Sequence, residues 1–201
     1  MTARDPRLPR AFYERPTLTV ARALLGQHLV RVQASIRLSG LICETEAYGG
    51  PDDESSHAFR RTPRSAIMYG APGHAYVYRI YGIHHCLNAV TEPAGQPGAV
   101  LIRAIFPQEG IELMHSRRAV QSRAHLADGP GKLCEALGID LAQNGLDLVT
   151  DEALFIETGE SIAEAEVRAT PRIGVRGSAE ARGRPWRFVW TPVSAPAARA
   201  S

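Results

Sequence analysis

A chain of 201 residues, 44% hydrophobic and 22% charged, is long enough for one domain with a substantial core and too apolar for a disordered polymer. No apolar run approaches the roughly 18 residues that span a bilayer, and the start MTARDPRLPRAFYERP carries charges and prolines where a secretory signal needs an apolar stretch, so an intracellular protein is expected. A formal charge of +2 excludes a uniformly basic or acidic partner-binding polymer and leaves any electrostatic role to local charge distribution.

In chain order, residues 1–16 read as an extended arm, residues 17–190 as one mixed α/β domain without repeats or an internal linker, and residues 191–201 as an Ala/Pro/Ser-rich frayed tail. Thr17 or Thr19 is expected to cap a short helix through Ala23 and Leu24 that Gly26 ends. A strand is expected over 28–38, a turn at Ser39-Gly40, and a hairpin partner over 41–48 that Gly49-Gly50-Pro51 breaks. Gly70-Ala71-Pro72-Gly73 launches a strand whose alternation puts Tyr76, Tyr78 and Ile80 on one face and Val77, Arg79 and Tyr81 on the other. Gly82 permits a reversal into a partner strand over 85–90, and Gly95 to Gly98 turns into another strand over 99–105. Helices are expected over 109–118 and 132–137, with Gly138 closing the second, and late strands over 172–175 and 186–190.

The three cysteines, Cys43, Cys86 and Cys134, are odd in number and widely spaced, which suits small core residues rather than a disulfide framework or a metal motif. His74, His84 and His85 do not make a metal set either: neighbours on a strand point to opposite faces and no Cys or carboxylate completes the ligands. Charge is segregated. No acid occurs from Ser55 to Thr91, which holds four arginines and four histidines, and Arg168 to Arg199 holds seven arginines against Glu180 alone. Glu109 to Glu166 holds twelve acids against four bases. Ordinary solvated charge runs explain this as well as a phosphate-binding face does.

Glu44 and Glu46 share one face of a strand end, the arrangement that paired carboxylates need for glycosidic-bond hydrolysis, although an exposed polar strand end looks the same. Tyr48 follows on that face, His57 comes after a turn-rich loop, and Tyr76, Tyr78 and Tyr81 lie in one acid-free hairpin. Aromatics interleaved with arginine suit a flat base beside a phosphate backbone.

These residues sit within a longer resemblance. ETEAY at 44–48, GPDDESSH at 50–57, TPR at 62–64, YVYRIYG at 76–82, CLN at 86–88, VLIRA at 100–104, GPGKLCEALGI at 129–139 and RIGV at 172–175 occur in the order of the alkyladenine (3-methyladenine) DNA glycosylase family. The chain resembles that family from about Thr19 to Val189, as a short, bacterial-type member. The resemblance implies a curved, largely antiparallel sheet with a protruding β-hairpin, like the open barrel of the formyltransferase C-terminal domain. It implies a monofunctional base-excision-repair enzyme, working in the cytoplasm at the nucleoid, that flips a damaged purine from double-stranded DNA and hydrolyses its N-glycosidic bond. No cofactor or metal is expected, and a monomer suffices.

Residue by residue, the resemblance gives Glu46 the general base, and Arg103 and the backbone carbonyl of Ile173 the hold on the attacking water. It gives Tyr48, His57 and Tyr78 the walls of the base pocket, Asn88 the exclusion of guanine's 2-amino group, and Tyr81 the wedge that enters the duplex. Arg60, Arg61, Arg64 and Lys132 are candidate backbone contacts. Tyr76 reads better as strand filling than as a pocket wall, and Lys132, the only lysine, as DNA-facing rather than as a Schiff-base nucleophile. His84 and Ala181 depart from the mammalian pattern, where both positions are aromatic, and bear on lesion range and affinity. The rival reading is a non-catalytic nucleic-acid-binding module; Glu46 separates the two, because a carboxylate facing a polyanion is unfavourable unless it acts.

Overall fold

The structure, a computed structural model, describes residues 6–192. Eight strands among them form one antiparallel sheet with short helices on its edges and faces: β1 (His28–Gln33), β2 (Ile36–Tyr48), β3 (Ala75–Ile80), β4 (His84–Thr91), β5 (Gly98–Glu109), β6 (Leu154–Glu157), β7 (Val167–Thr170) and β8 (Arg187–Trp190). The path runs β3-β4-β5-β2-β1-β6, while β8 pairs with both β2 and β7. The expected class, a single mixed α/β domain with a largely antiparallel open sheet, is what the chain adopts.

Strand β2 is the axis of this sheet. Along its thirteen residues it pairs with β1, β5 and β8 at its two edges, and an unbroken buried run from Leu38 to Cys43 shows both faces covered, so the alternation that marks a half-buried strand fades from the sequence. The expected turn at Ser39-Gly40 is absent: both residues lie inside β2, and the reversal falls at Ala34 and Ser35, with φ of 47° and 68°. Two consecutive left-handed residues make the tight hairpin loop, here without the Asn-Gly signature that would announce it. Gly40 serves close approach instead, since a Cβ there would meet the Phe106 carbonyl at 2.6 Å.

Helix α1 (Arg10–Tyr13) lies in the segment read as an extended arm, whose described part is docked rather than free. Leu8 N–H donates to the Ile156 carbonyl, Thr158 N–H to the Pro6 carbonyl, and Leu8 and Tyr13 are buried. Helix α2 (Thr17–Ala23) follows as expected, but neither threonine is its N-cap. Glu92 takes that role from a distance, accepting from Thr17 N–H at 2.5 Å and Thr17 Oγ1 at 2.8 Å. Helix α3 (Ile111–Arg117) and helix α4 (Pro130–Leu137) match their expected positions, with Pro130 in the first turn of α4 and Gly138 closing it at φ 63°.

The late strand expected over 172–175 is a loop. Gly174 and Gly177, at φ 70° and 119°, break extended geometry there, and the strand falls earlier, at β7. Strand β6 and helix α5 (Ala179–Gly183) carry no sequence pattern that reveals them. Of the expected tail, Thr191 N–H donates to the Glu166 carbonyl, and residues 193–201 lie outside the described residues.

The sheet divides two cores. On one side Leu24, Leu87, Ile102, Leu133 and Leu137 pack beneath α2 and α4, where Thr45 Oγ1 reaches the Ala21 carbonyl. On the other side a smaller cluster of Tyr76, Val90 and Ala99 is roofed by Ala58 and Met68 from the irregular segment 49–74. Free Cys43, Cys86 and Cys134 are buried.

Candidate active site

Register explains why distant motifs converge. Tyr76 pairs with Asn88, Asn88 with Leu101, Leu101 with Glu46, and Glu46 with Arg187, so one row of side chains crosses β3, β4, β5, β2 and β8 on one face. Tyr78 is two residues along β3 from Tyr76, Arg103 two along β5 from Leu101, and Glu44 and Tyr48 two to either side of Glu46, all on that face. Register shifts on both sides of Glu44 place Arg103 at the break between the Glu44–Ala104 and Thr45–Ile102 pairs. Such irregularities re-aim side chains beside functional sites.

Glu46 is the centre of this face, with its side chain fully buried. Its Oε1 accepts from the Ile173 backbone N–H at 2.7 Å and its Oε2 from the Tyr48 hydroxyl at 2.7 Å, and Arg103 Nη1 forms an ion pair with Oε2 at 3.2 Å. Two hydrogen bonds and this ion pair supply the compensation that a buried carboxylate requires. Arg103 Nε also donates to Glu44 Oε1 at 2.6 Å, and Arg187 Nε reaches the same oxygen at 2.6 Å, so two arginines and two glutamates alternate as a chain. Burial disfavours charge on Arg103, but the adjacent Glu46 and Glu44 outweigh it and raise its pKa, fixing the guanidinium as a cation. Ile173 meets Glu46 through its N–H, whereas the resemblance assigned its carbonyl to the water.

Beside the carboxylate lie the aromatic rings. His57 meets Tyr78 edge-on with centroids 4.7 Å apart and Tyr76 at 6.0 Å, and His57 Nδ1 is 2.8 Å from the Tyr76 hydroxyl. Burial against these rings, reinforced by the Arg64 cation, lowers the His57 pKa to about 4 even though part of the ring is open to solvent, so the imidazole is neutral at neutral pH. Burial, then the neighbouring Glu46 charge, pushes the Tyr48 phenol up, and burial likewise raises Tyr78; both keep their protons. Tyr76 is 3% exposed and part of the small core, the strand-filling place expected of it. Asn88 is buried, and its Nδ2 donates to the Tyr76 carbonyl at 3.0 Å.

Of the remaining sequence candidates, Arg64 adjoins this cluster and the others lie apart from it. Tyr81 is 85% exposed at the β3–β4 tip with φ 52°, followed by Gly82 at φ 75° and an exposed Ile83. Arg60, Arg61 and Arg64 are exposed, and their guanidinium groups lie over Phe59, Tyr69 and Tyr78. Lys132 is exposed on α4 and pairs with Asp128 at 2.9 Å; Gly131 beside it packs close to His84, next to the turn of the hairpin. Among the described residues, no group of three or more His, Cys, Asp or Glu could hold a metal ion, and no helix is long and apolar enough to cross a membrane.

Sequence reasoning missed Asp53, Arg172, Trp186 and the bond from Arg187 to Glu44. Arg172 sits inside the RIGV motif, yet its partners are remote in sequence, and Asp53 looks like any acid of a solvent loop. The one available signal was the adjacency of Arg172 to Ile173.

A single α/β domain with a buried, hydrogen-bonded and ion-paired carboxylate beside a cluster of aromatic rings is compatible with glycosidic-bond hydrolysis. The family model for methylpurine-DNA glycosylase matches residues 11–193, and the chain belongs to that family of DNA-repair glycosylases. A protein of Methanocella arvoryzae is 51% identical over 185 residues, covering 91% of this chain and 92% of its own length. Two Bacillus cereus proteins are 48% identical over 194 residues and 46% identical over 193, each covering 90% of this chain and 94% of its own length. All three carry the provisional name 3-methyladenine DNA glycosylase.

Proposed function

We propose that the protein extrudes alkylated or deaminated purines, of the 3-methyladenine, 7-methylguanine, hypoxanthine and ethenoadenine class, from duplex DNA and hydrolyses their N-glycosidic bond in one inverting step. The observation that carries this reading is the Glu46 carboxylate, buried yet held by two hydrogen bonds and the Arg103 ion pair, on the same sheet face as Tyr48 and Tyr78. In this reading Glu46 takes a proton from a water held with Arg103 and the Ile173 carbonyl. The water oxygen bonds to the anomeric carbon as the bond to the base nitrogen breaks, and the electron pair leaves with the base. A positioned base of this kind accelerates a reaction by about 10²–10⁴-fold.

The rings suit a base held by stacking. His57 and Tyr78 touch each other, so they form one composite wall rather than opposite walls, and Tyr48 serves as the facing one. A neutral His57 adds no charge that would repel a cationic methylated purine, and tyrosine faces attract one. Stacking contributes roughly 1–3 kcal/mol per base and flipping costs a few kcal/mol, so weakly paired lesions are extruded in preference to sound pairs. Cationic lesions leave readily, whereas neutral hypoxanthine must gain a proton as it departs. Tyr81 fills the vacated place in the duplex, Asn88 excludes guanine's 2-amino group, and Arg60, Arg61, Arg64 and Lys132 contact the backbone. A monomer carries every residue the reading uses.

The test is base release from duplexes holding each lesion, for the wild type and for Glu46→Gln. The variant is expected to bind lesion duplex and release no base. Release at the wild-type rate would refute the role of Glu46, and a wild type inactive on the whole panel would refute the reading.

A further inference from the structure

Asp53 and Arg172 are assigned no contact of their own with water or base, yet their side chains are 1% and 0% exposed. Arg172 Nη1 donates to Asp53 Oδ2 at 2.6 Å and to the Ala47 carbonyl at 2.9 Å; Nη2 donates to Asp53 Oδ1 at 2.7 Å and to the Ala181 carbonyl at 3.1 Å. Asp53 accepts as well from Gly49 N–H at 3.0 Å and Ser55 N–H at 3.2 Å. The guanidinium lies 4.9 Å from the Tyr48 ring centroid and 5.0 Å from that of Trp186.

Apart from Ala181 on α5, the partners come from segments that supply part of the site. Ala47 and Gly49 flank Tyr48, Ser55 lies two residues before His57, and Arg172 immediately precedes Ile173, whose N–H binds Glu46. We propose that the Asp53–Arg172 pair is a positioning device, setting the Ile173 backbone against Glu46 and holding the Tyr48 ring at the end of β2. The inference rests on the glycosylase reading above. Stability alone does not explain the pair: desolvating two charges costs so much that apolar side chains of similar size often serve a core equally well. What they cannot reproduce is a planar fork that ties four backbone groups and two rings in one geometry. Displacing a reacting group by about 1 Å can cost about 10²-fold in rate.

The test is single-turnover release of hypoxanthine with enzyme in excess, measured beside the Kd for the same duplex and the unfolding midpoint. Arg172→Lys and Asp53→Asn are expected to lower the maximal rate about 10–100-fold, with Kd changed less than about threefold. The double replacement Asp53→Leu with Arg172→Met removes the ion pair without leaving an unpaired charge, so it is expected to stay folded and to lose the rate all the same. A folded double variant releasing base at the wild-type rate would overturn the proposal. So would rates that fall only in proportion to the folded fraction, the result expected of a purely structural pair. Inactivity of the wild type, or full activity of Glu46→Gln, would instead bring down the underlying reading.

Discussion

The site face of β2 and the tip of the β3–β4 hairpin are opposites. Around Glu46 the carboxylate oxygens, the ring hydroxyl of Tyr48 and the guanidinium groups of Arg103 and Arg187 all have partners, supplied by three strands and one loop. At the tip, Tyr81 and Ile83 are 85% and 72% exposed, and open space surrounds Gly82. A buried charge has to be held from several sides, because each unpaired contact is costly in a medium of low dielectric. An exposed apolar tip needs only its turn, and it gains burial when a partner covers it. In the proposed reading, chemistry therefore sits where the sheet constrains it most, and first contact with a duplex where the fold constrains it least.

Substitutions at the two regions are expected to separate rate from affinity. The largest effect is on excision by Glu46→Gln, a loss of about 10²–10⁴-fold or more with lesion binding retained; equal losses of both would blur the contrast. The Asp53 and Arg172 variants come next, lowering rate and sparing affinity. Tyr81→Ala is expected to do the reverse, weakening lesion-duplex binding about tenfold, or about 1.4 kcal/mol, with the unfolding free energy unchanged within about 0.5 kcal/mol. Unaltered binding and flipping by that variant would remove the tip from the recognition process.

Two smaller effects sharpen the picture inside the site. Asn88→Ser is expected to raise guanine release from mismatched duplexes, at a stability cost of about 1 kcal/mol for the lost bond to the Tyr76 carbonyl. No rise over wild type would count against Asn88 as the excluding residue. His57 links folding to pH. Its pKa is lowered from 6.5 to about 4 in the folded protein, so the unfolded chain takes up a proton first as pH falls. Its contribution is complete above pH 6.5, declines between about 6.5 and 4, and returns as pH rises. His57→Gln should flatten the slope of unfolding midpoint against pH in that window relative to wild type; parallel slopes would mean the ring is not shielded.

Local patterns were legible wherever a single element carried its own signal. The β3–β4 hairpin could be read from alternating tyrosines and a following glycine, and α4 from Pro130 and Gly138, because turn and cap chemistry acts within a few residues. The ordered motifs led to the family and to every candidate residue. Other features were illegible for physical reasons. The Ala34-Ser35 reversal lacks the glycine or asparagine that favours positive φ and is imposed by the pairing of β1 with β2. The glycines at 174 and 177 undo the strand that RIGV suggests, and Glu92 caps a helix seventy-five residues away.

Which residues could do the chemistry was thus written in the sequence, since acid, aromatic and arginine are properties of side chains. Which of them meet was decided by the tertiary structure. Strand register alone aligns Tyr76, Asn88, Leu101 and Glu46 in one row, and a buried ion pair between residues 119 positions apart brings the Ile173 backbone to Glu46. Contacts of that separation depend on how the whole sheet closes, and no window of neighbouring residues contains them.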